Sequence, residues 1–326
     1  MKINPRLFPI LSAFALLAAC GKTPESASTS TPGADKQLTI AVIPKATTHS
    51  YWKAAQAGTE RAAKEFGVKI EWQGPLDDSK VADQIAIFNN LAASGVDGIV
   101  LSPCDDRALA PHVITTTQRG VPVSIFDSPL DAKVEVDFIN FVSTDNKKAG
   151  ATAAETLIAQ VGDAPAYGGR LLMIRFTEGS ASTRLREEGF AEKIAGDGKL
   201  KIDAQNFTDG SMAGAQRVAE TMLGNYVKDG KLELDAIFAS NQPTAEGTYN
   251  AVRALKDQGV EVKTKFVGFD DSELLLQGLK EEVIHALVIQ DPEKMGYLGV
   301  KSIVDYLKKQ PVPPYIDTGV TVKMKP

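Results

Sequence analysis

Cysteine is nearly absent from this chain: only Cys20 and Cys104 occur in 326 residues, too few for a disulfide framework. Histidine is almost as scarce. His49, His112 and His285 lie far apart, and the carboxylates show no metal-ligand spacing, so neither a metal nor a cofactor is expected. No G-x-G-x-x-G follows a strand, and neither a phosphate loop nor a G-x-S-x-G nucleophile elbow is present. Those absences remove the usual sequence grounds for catalysis, and the expectation is that the protein is not an enzyme. Charge of one sign is missing too. The net charge is −5 with both signs interspersed, which gives a nucleic acid nothing to grip. After Ala19 no apolar run approaches the roughly 20 residues that span a bilayer.

What is present begins with an export signal. Lys2 and Arg6 precede the short apolar stretch Leu7–Ala19, which is a signal peptide rather than a membrane helix. Leu17-Ala18-Ala19-Cys20 resembles the lipobox of bacterial lipoproteins. The resemblance implies that residues 1–20 are the lipoprotein signal and that Cys20 becomes a lipidated N-terminus. The protein is then expected in the periplasm or on the outer face of the cytoplasmic membrane, held by lipid. Residues 21–36 are rich in Ser, Thr, Pro, Gly and Ala and read as a flexible tether. With Cys20 lipidated, Cys104 has no partner and reads as a small loop residue.

The roughly 290 residues after Lys36 are enough for two ordinary domains. Apolar strand-like runs such as Leu38–Pro44, Gly98–Leu101 and Val121–Phe126 alternate with helical patterns at Tyr51–Phe66, Val81–Ala93 and Ala108–Gln118. Near-continuous apolar strands between amphipathic helices mark parallel sheets covered on both faces. The alternation pauses at Phe138–Val142, then restarts from the helix Ala149–Val161 and the strand Arg170–Phe176. The fold class is α/β, with two doubly wound parallel-sheet lobes.

In such sheets ligands bind beyond the carboxyl ends of the strands. Following the strands there stand His49, Tyr51 and Trp52; Ser102 and Asp105; Asp127; Arg184; Asn241; Asp270; and Gln290. Asp accepts hydrogen bonds, Arg donates in a fork, and Asn and Gln do both, a set that suits a neutral polyol. Aromatic rings cover the apolar face of a sugar. Several of these residues also have an ordinary use. Asp105 and Asp270 suit helix N-caps, Asn241 suits a turn, and Arg184 suits a solvated helix face beside Arg186 and Glu187.

The segments T-I-A-V-I-P, Ser182-Thr183-Arg184 before R-x-E-E-G-F, I-F-A-S-N, V-G-F-D-D and V-I-Q-D-P, in this order, resemble the ribose-binding type of periplasmic solute-binding protein. The resemblance runs from Leu38 to the C-terminus. It implies a type I fold with a three-segment hinge, one lobe formed by 37–143 and 291–317 and the other by 144–290 and 318–326. It implies sugar contacts from Asp127, Arg184, Asn241, Asp270 and Gln290, with Tyr51 and Trp52 as stacking aromatics. His49 and Ser102 stand where asparagines are common, Ser128 where an arginine often follows the aspartate, and Gly210 near a frequent aromatic. These departures point away from ribose, to another hydroxyl arrangement or a larger ligand. I-P-K with W-Q-G-P also resembles relatives that bind rhamnose or a furanosyl autoinducer. The implied function is capture of a pentose, hexose or deoxy sugar by a monomer that delivers it to an ABC permease. The alternative is a sensor that presents such a signal to a receptor.

Overall fold

Runs of aliphatic and β-branched residues become short strands, and the intervening amphipathic segments become helices that cover them. The computed structural model of the protein describes residues 37–325. The signal, Cys20 and tether readings lie outside the described residues. Among the described residues no helix is long and apolar enough to cross a membrane. In chain order the first strands are β1 (Thr39–Ile43), β2 (Lys69–Trp72), β3 (Gly98–Leu101), β4 (Val123–Phe126) and β5 (Asn140–Ser143). Next come β6 (Arg170–Arg175), β7 (Lys201–Phe207) and the small hairpin β8 (Val227–Lys228) and β9 (Lys231–Leu232). The chain ends with β10 (Ala236–Ala239), β11 (Lys265–Phe269), β12 (Ala286–Ile289), β13 (Tyr315–Asp317) and β14 (Thr321–Met324). The helices are α1 (Ser50–Phe66), α2 (Val81–Ala93), α3 (Asp106–Gln118), α4 (Asn146–Val161), α5 (Ala181–Asp197), α6 (Met212–Gly224), α7 (Gln242–Asp257), α8 (Glu273–Lys280) and α9 (Pro292–Leu307).

The two large sheets repeat one order, β13-β5-β4-β3-β1-β2 and β14-β12-β11-β10-β6-β7. All pairings in them are parallel but one: β14 runs antiparallel to β12, with Thr321 opposite Ile289. The reason is local. The chain reaches the second sheet from β13 at the carboxyl end of β12, and only three residues separate β13 from β14, too few for a crossover. Strands β3, β4 and β10 are buried at every residue, as the continuous apolar pattern requires.

Each sheet carries apolar helix layers on both faces. In the first, α1 and α9 close one side through Trp52, Ala55, Met295 and Ile303, and α2 and α3 the other through Phe88, Leu91 and Val113. In the second, α4 and α5 contribute Ala153, Leu157 and Phe190, opposite α6, α7 and α8 with Leu223, Tyr249 and Leu275. Glycines let helix pairs touch backbone to backbone. A Cβ at Gly150 of α4 would lie 1.9 Å from the Arg186 carbonyl oxygen of α5. Three strand-end segments carry the chain from one lobe to the other, after β5, after β12 and after β13.

Candidate functional site

The carboxyl ends of the two sheets face one cleft, and the side chains there come from both lobes. Asp127 follows β4 and Asp270 follows β11, the third strand from the edge in either sheet. Both have left-handed backbones, with φ 62° and 64°. Outside glycine that region is sparsely used, aspartate entering it more readily than most residues, and both of these aspartates line one cavity. Each is fixed from the neighbouring strand: Asp127 N–H donates to the Val142 carbonyl at 2.9 Å and Asp270 N–H to the Val288 carbonyl at 2.8 Å.

The space between them, counted out to its opening on solvent, is about 350 Å³. From the first lobe it is lined by Lys45, His49, Tyr51, Trp52, Asp78 and Asp127. From the second come Phe176, Ser182, Thr183, Arg186, Asn241, Gln242, Pro243, Asp270 and Gln290. The Tyr51 hydroxyl donates to Asp127 Oδ1 at 2.7 Å, and Ser102 Oγ donates to Oδ2 at 2.8 Å. Lys45 Nζ lies 3.7 Å from the same Oδ2 and donates to Ser180 and Ser182 Oγ of the opposite lobe, each at 3.1 Å. Tyr51 and Trp52 meet edge to face with centroids 5.0 Å apart, and Trp52 meets Phe126 likewise at 6.0 Å.

Arg186 anchors the second wall. Its Nε donates to Asn146 Oδ1 at 2.7 Å, Nη1 to the Ser240 carbonyl at 3.1 Å and Nη2 to Gln290 Oε1 at 2.7 Å. The guanidinium also stands 4.6 Å over the Phe269 ring. Gln290 Nε2 passes the chain on to Asp270 Oδ1 at 2.7 Å, while Gln242 N–H donates to Oδ2 at 3.2 Å. Burial lifts the Asp270 carboxyl from its ordinary 3.8 to about 6, against the pull of Arg186 and the Gln290 hydrogen bond. Asn241 caps α7, its Oδ1 accepting from Thr244 N–H at 3.2 Å. Its amide nitrogen has no protein partner among the described residues and stays free to donate into the cavity.

The structure brings together His49, Tyr51, Trp52, Asp127, Asn241, Asp270 and Gln290, and it places two other expected residues off the cavity wall. Arg184 does not line the cavity. Its Nη2 pairs with Asp106 Oδ2 of the opposite lobe at 2.6 Å, and Nη1 donates to the Glu178 carbonyl. The helical period explains this, since Ser182, Arg186 and Phe190 share the buried face of α5 and Arg184 sits about 160° from Arg186 around it. That spacing was legible in the sequence. Ser102 is likewise absent from the wall and acts by holding Asp127. Asp105 caps α3, accepting from Arg107 and Ala108 N–H. Lys45, which joins the wall, also follows a strand end, that of β1. Asp78, in the loop after β2, carried no pattern.

Cys104 is buried and supports the site from behind. Its Sγ donates to the Lys45 carbonyl at 3.4 Å, and burial pushes its thiol well up. Gln84, fully buried, donates to the Pro44 and Ser102 carbonyls and accepts from Cys104 N–H, tying the loops that follow β1 and β3.

Comparison with known proteins gives consistent matches over almost the whole described chain. A family model described as a periplasmic binding protein domain matches residues 40–311. The ribose import binding protein of Bacillus subtilis is 29% identical over 298 residues, covering 91% of this chain and 90% of its own. A carbohydrate transporter solute-binding protein from Agrobacterium radiobacter, solved with D-arabinose, superposes with a TM-score of 0.81 at 31% identity, covering 90% of this chain and 96% of that one. An ABC transporter solute-binding protein from Agrobacterium vitis, solved with D-fucose, gives 0.81 at 33% identity, with 88% and 95% covered.

Proposed function

This chain belongs to the periplasmic binding protein family, and from that premise we propose that it captures a neutral monosaccharide between its lobes and delivers it to an ABC permease. The observation that carries the reading is the cavity, where Asp127 with Tyr51 and Trp52 faces Arg186, Asn241, Asp270 and Gln290. Spare carboxylate lone pairs and the free Asn241 amide complement hydroxyl groups, which both donate and accept. The aromatic pair offers an apolar surface to the C–H face of the ring. Both buried cations are already engaged, Lys45 by Ser180, Ser182 and Asp127, and Arg186 by Asn146, Ser240 and Gln290. An acidic sugar or a phosphate would find no unspent positive charge, whereas a neutral polyol needs none. The related proteins' named ligands, ribose, D-arabinose and D-fucose, are all neutral sugars.

Closure follows from ligand contacts to both walls, with the three inter-lobe segments as the hinge. Export with a lipid on Cys20 completes the proposal, and the mass of the mature N-terminus measures it. The central test is calorimetric titration with D-ribose, D-allose, D-arabinose, D-galactose and D-fucose. At least one is expected to bind, and Arg186→Ala to abolish that binding. No heat with any of the five, or an Arg186→Ala protein that binds as the wild type does, would overturn the reading.

A further inference from the structure

One buried carboxylate in the cavity has no structural duty. Asp78 belongs to the loop between β2 and α2 and is 6% exposed. Among the described residues no backbone or side-chain group donates a hydrogen bond to it. His49 Nδ1 stands 3.6 Å from its Oδ2, beyond hydrogen-bond length. The adjacent Asp77 shows what a loop-building aspartate does here. Its side chain accepts from Ser79 N–H at 3.0 Å and from Ser79 Oγ, closing the turn that leads into α2. Asp78 plays no part in that turn, and the N-cap of α2 is Lys80, without a side-chain cap.

The loop is nevertheless held firmly. Thr47 Oγ1 donates to the Pro75 carbonyl at 3.2 Å and Thr48 Oγ1 to the Leu76 carbonyl at 3.0 Å. Gly74 packs so tightly that a Cβ there would lie 2.7 Å from the Pro44 ring. From the opposite lobe Gly210 closes on the same loop: its φ is 87°, and a Cβ would meet Ser79 Cβ at 3.3 Å. The Asp78 carboxylate is thus fixed on the cavity wall, largely buried and short of donors. Burying a carboxylate without hydrogen bonds is costly, and a ligand hydroxyl that donates to it removes that cost.

We infer that Asp78 is a ligand-binding and specificity-determining residue, a third carboxylate that accepts a hydroxyl of the captured sugar beside His49. The inference rests on the sugar-capture reading and extends it. A pocket with acceptors on three sides selects a sugar with a hydroxyl aimed at each, and it disfavours a relative that lacks the one at Asp78. A site built to pair a hydroxyl rejects the analogue without it far more strongly than an apolar pocket rejects an extra group.

The test is calorimetry of wild type, Asp78→Asn and Asp78→Ala against D-ribose, D-allose, D-arabinose, D-galactose and D-fucose, with the melting temperature of each ligand-free protein. The best wild-type sugar is expected to lose about tenfold or more in affinity with Asp78→Ala. The losses should be unequal across the panel, so that the ranking of sugars changes. Ligand-free melting should hold or rise, because a buried carboxylate without a hydrogen-bond donor has gone. Affinities within about twofold of wild type in both variants would overturn the inference while sugar capture stands. Equal losses for every sugar together with a lowered melting temperature would also overturn it, as a structural role for Asp78. Failure of the wild type to bind any of the five would bring down sugar capture and this inference with it.

Discussion

Asp270 shows what the site costs the ligand-free molecule. Desolvation lifts its carboxyl from 3.8 to about 6, so the folded protein holds that proton more tightly than the unfolded chain does. The contribution to stability is therefore complete below pH 3.8 and is lost as pH rises through 6. A shift of this size corresponds to about 3 kcal/mol. Asp270→Asn is expected to gain stability relative to wild type as pH rises between these limits, offset in part by the weakened bond from Gln242 N–H. His285 is pushed down to about 4 by burial and acts with the opposite sign, but it cancels in the difference between the two proteins. Urea unfolding of both proteins from pH 4 to 7 measures that difference, and a flat profile would refute the account. The residue types of the two walls were legible in the sequence, since Asp127, Asp270 and Gln290 directly follow apolar strands and Asn241 follows one a residue later. The choice between Arg184 and Arg186 needed the helical phase of α5. Asp78 needed the path of a loop, which no periodicity encodes.

At the scale of elements, the site depends on how closely α4 and α5 pack. Gly150 meets the Arg186 backbone, and Gly189 meets the Lys147 carbonyl, where a Cβ would lie 2.0 Å away. Asn146, in the first turn of α4, holds the Arg186 guanidinium. Gly150→Ala is expected to spread the pair, cost about 1–3 kcal/mol and weaken sugar binding by displacing Arg186. Gly196→Ala is the control. Gly196 lies in α5 with nothing within 4 Å of its Cβ position, so alanine there should stabilise by about 0.5–1 kcal/mol and leave affinity alone. Thermal unfolding and calorimetry of both variants separate the two outcomes. Most strands and helices were legible to within a few residues because continuous apolar runs and 3.6-residue spacing coincide with them, but β5 lies where the alternation pauses. The short β13 and the β8–β9 hairpin were not. They are two or three residues long and partly exposed, and their pairing is set by neighbours rather than by a pattern of their own.

For the molecule as a whole, Arg184 acquires a different use. Its pair with Asp106 joins α5 of one lobe to α3 of the other, outside the cavity. With Arg184 one third exposed, such a pair contributes about 1 kcal/mol or less and is screened by salt. Arg184→Ala should therefore cost only severalfold in affinity, through faster release, and most of that difference should vanish in high salt. Stopped-flow release of a bound sugar at low and high salt checks this. A loss as deep as that of Arg186→Ala would return Arg184 to the binding wall.

By itself the sequence determined the α/β class, the two rounds of alternation and the strand ends at which polar groups gather. Each of these is written in local hydrophobic period and in the residue types that follow apolar runs. Only the tertiary structure decided that Arg186 meets Asn146 and Gln290, that Lys45 reaches across to the second lobe, and that Asp78 lies in the cavity wall. Those facts depend on groups up to 137 residues apart along the chain, such as Lys45 and Ser182, meeting when the two sheets face each other. No local pattern carries such a distance; packing does.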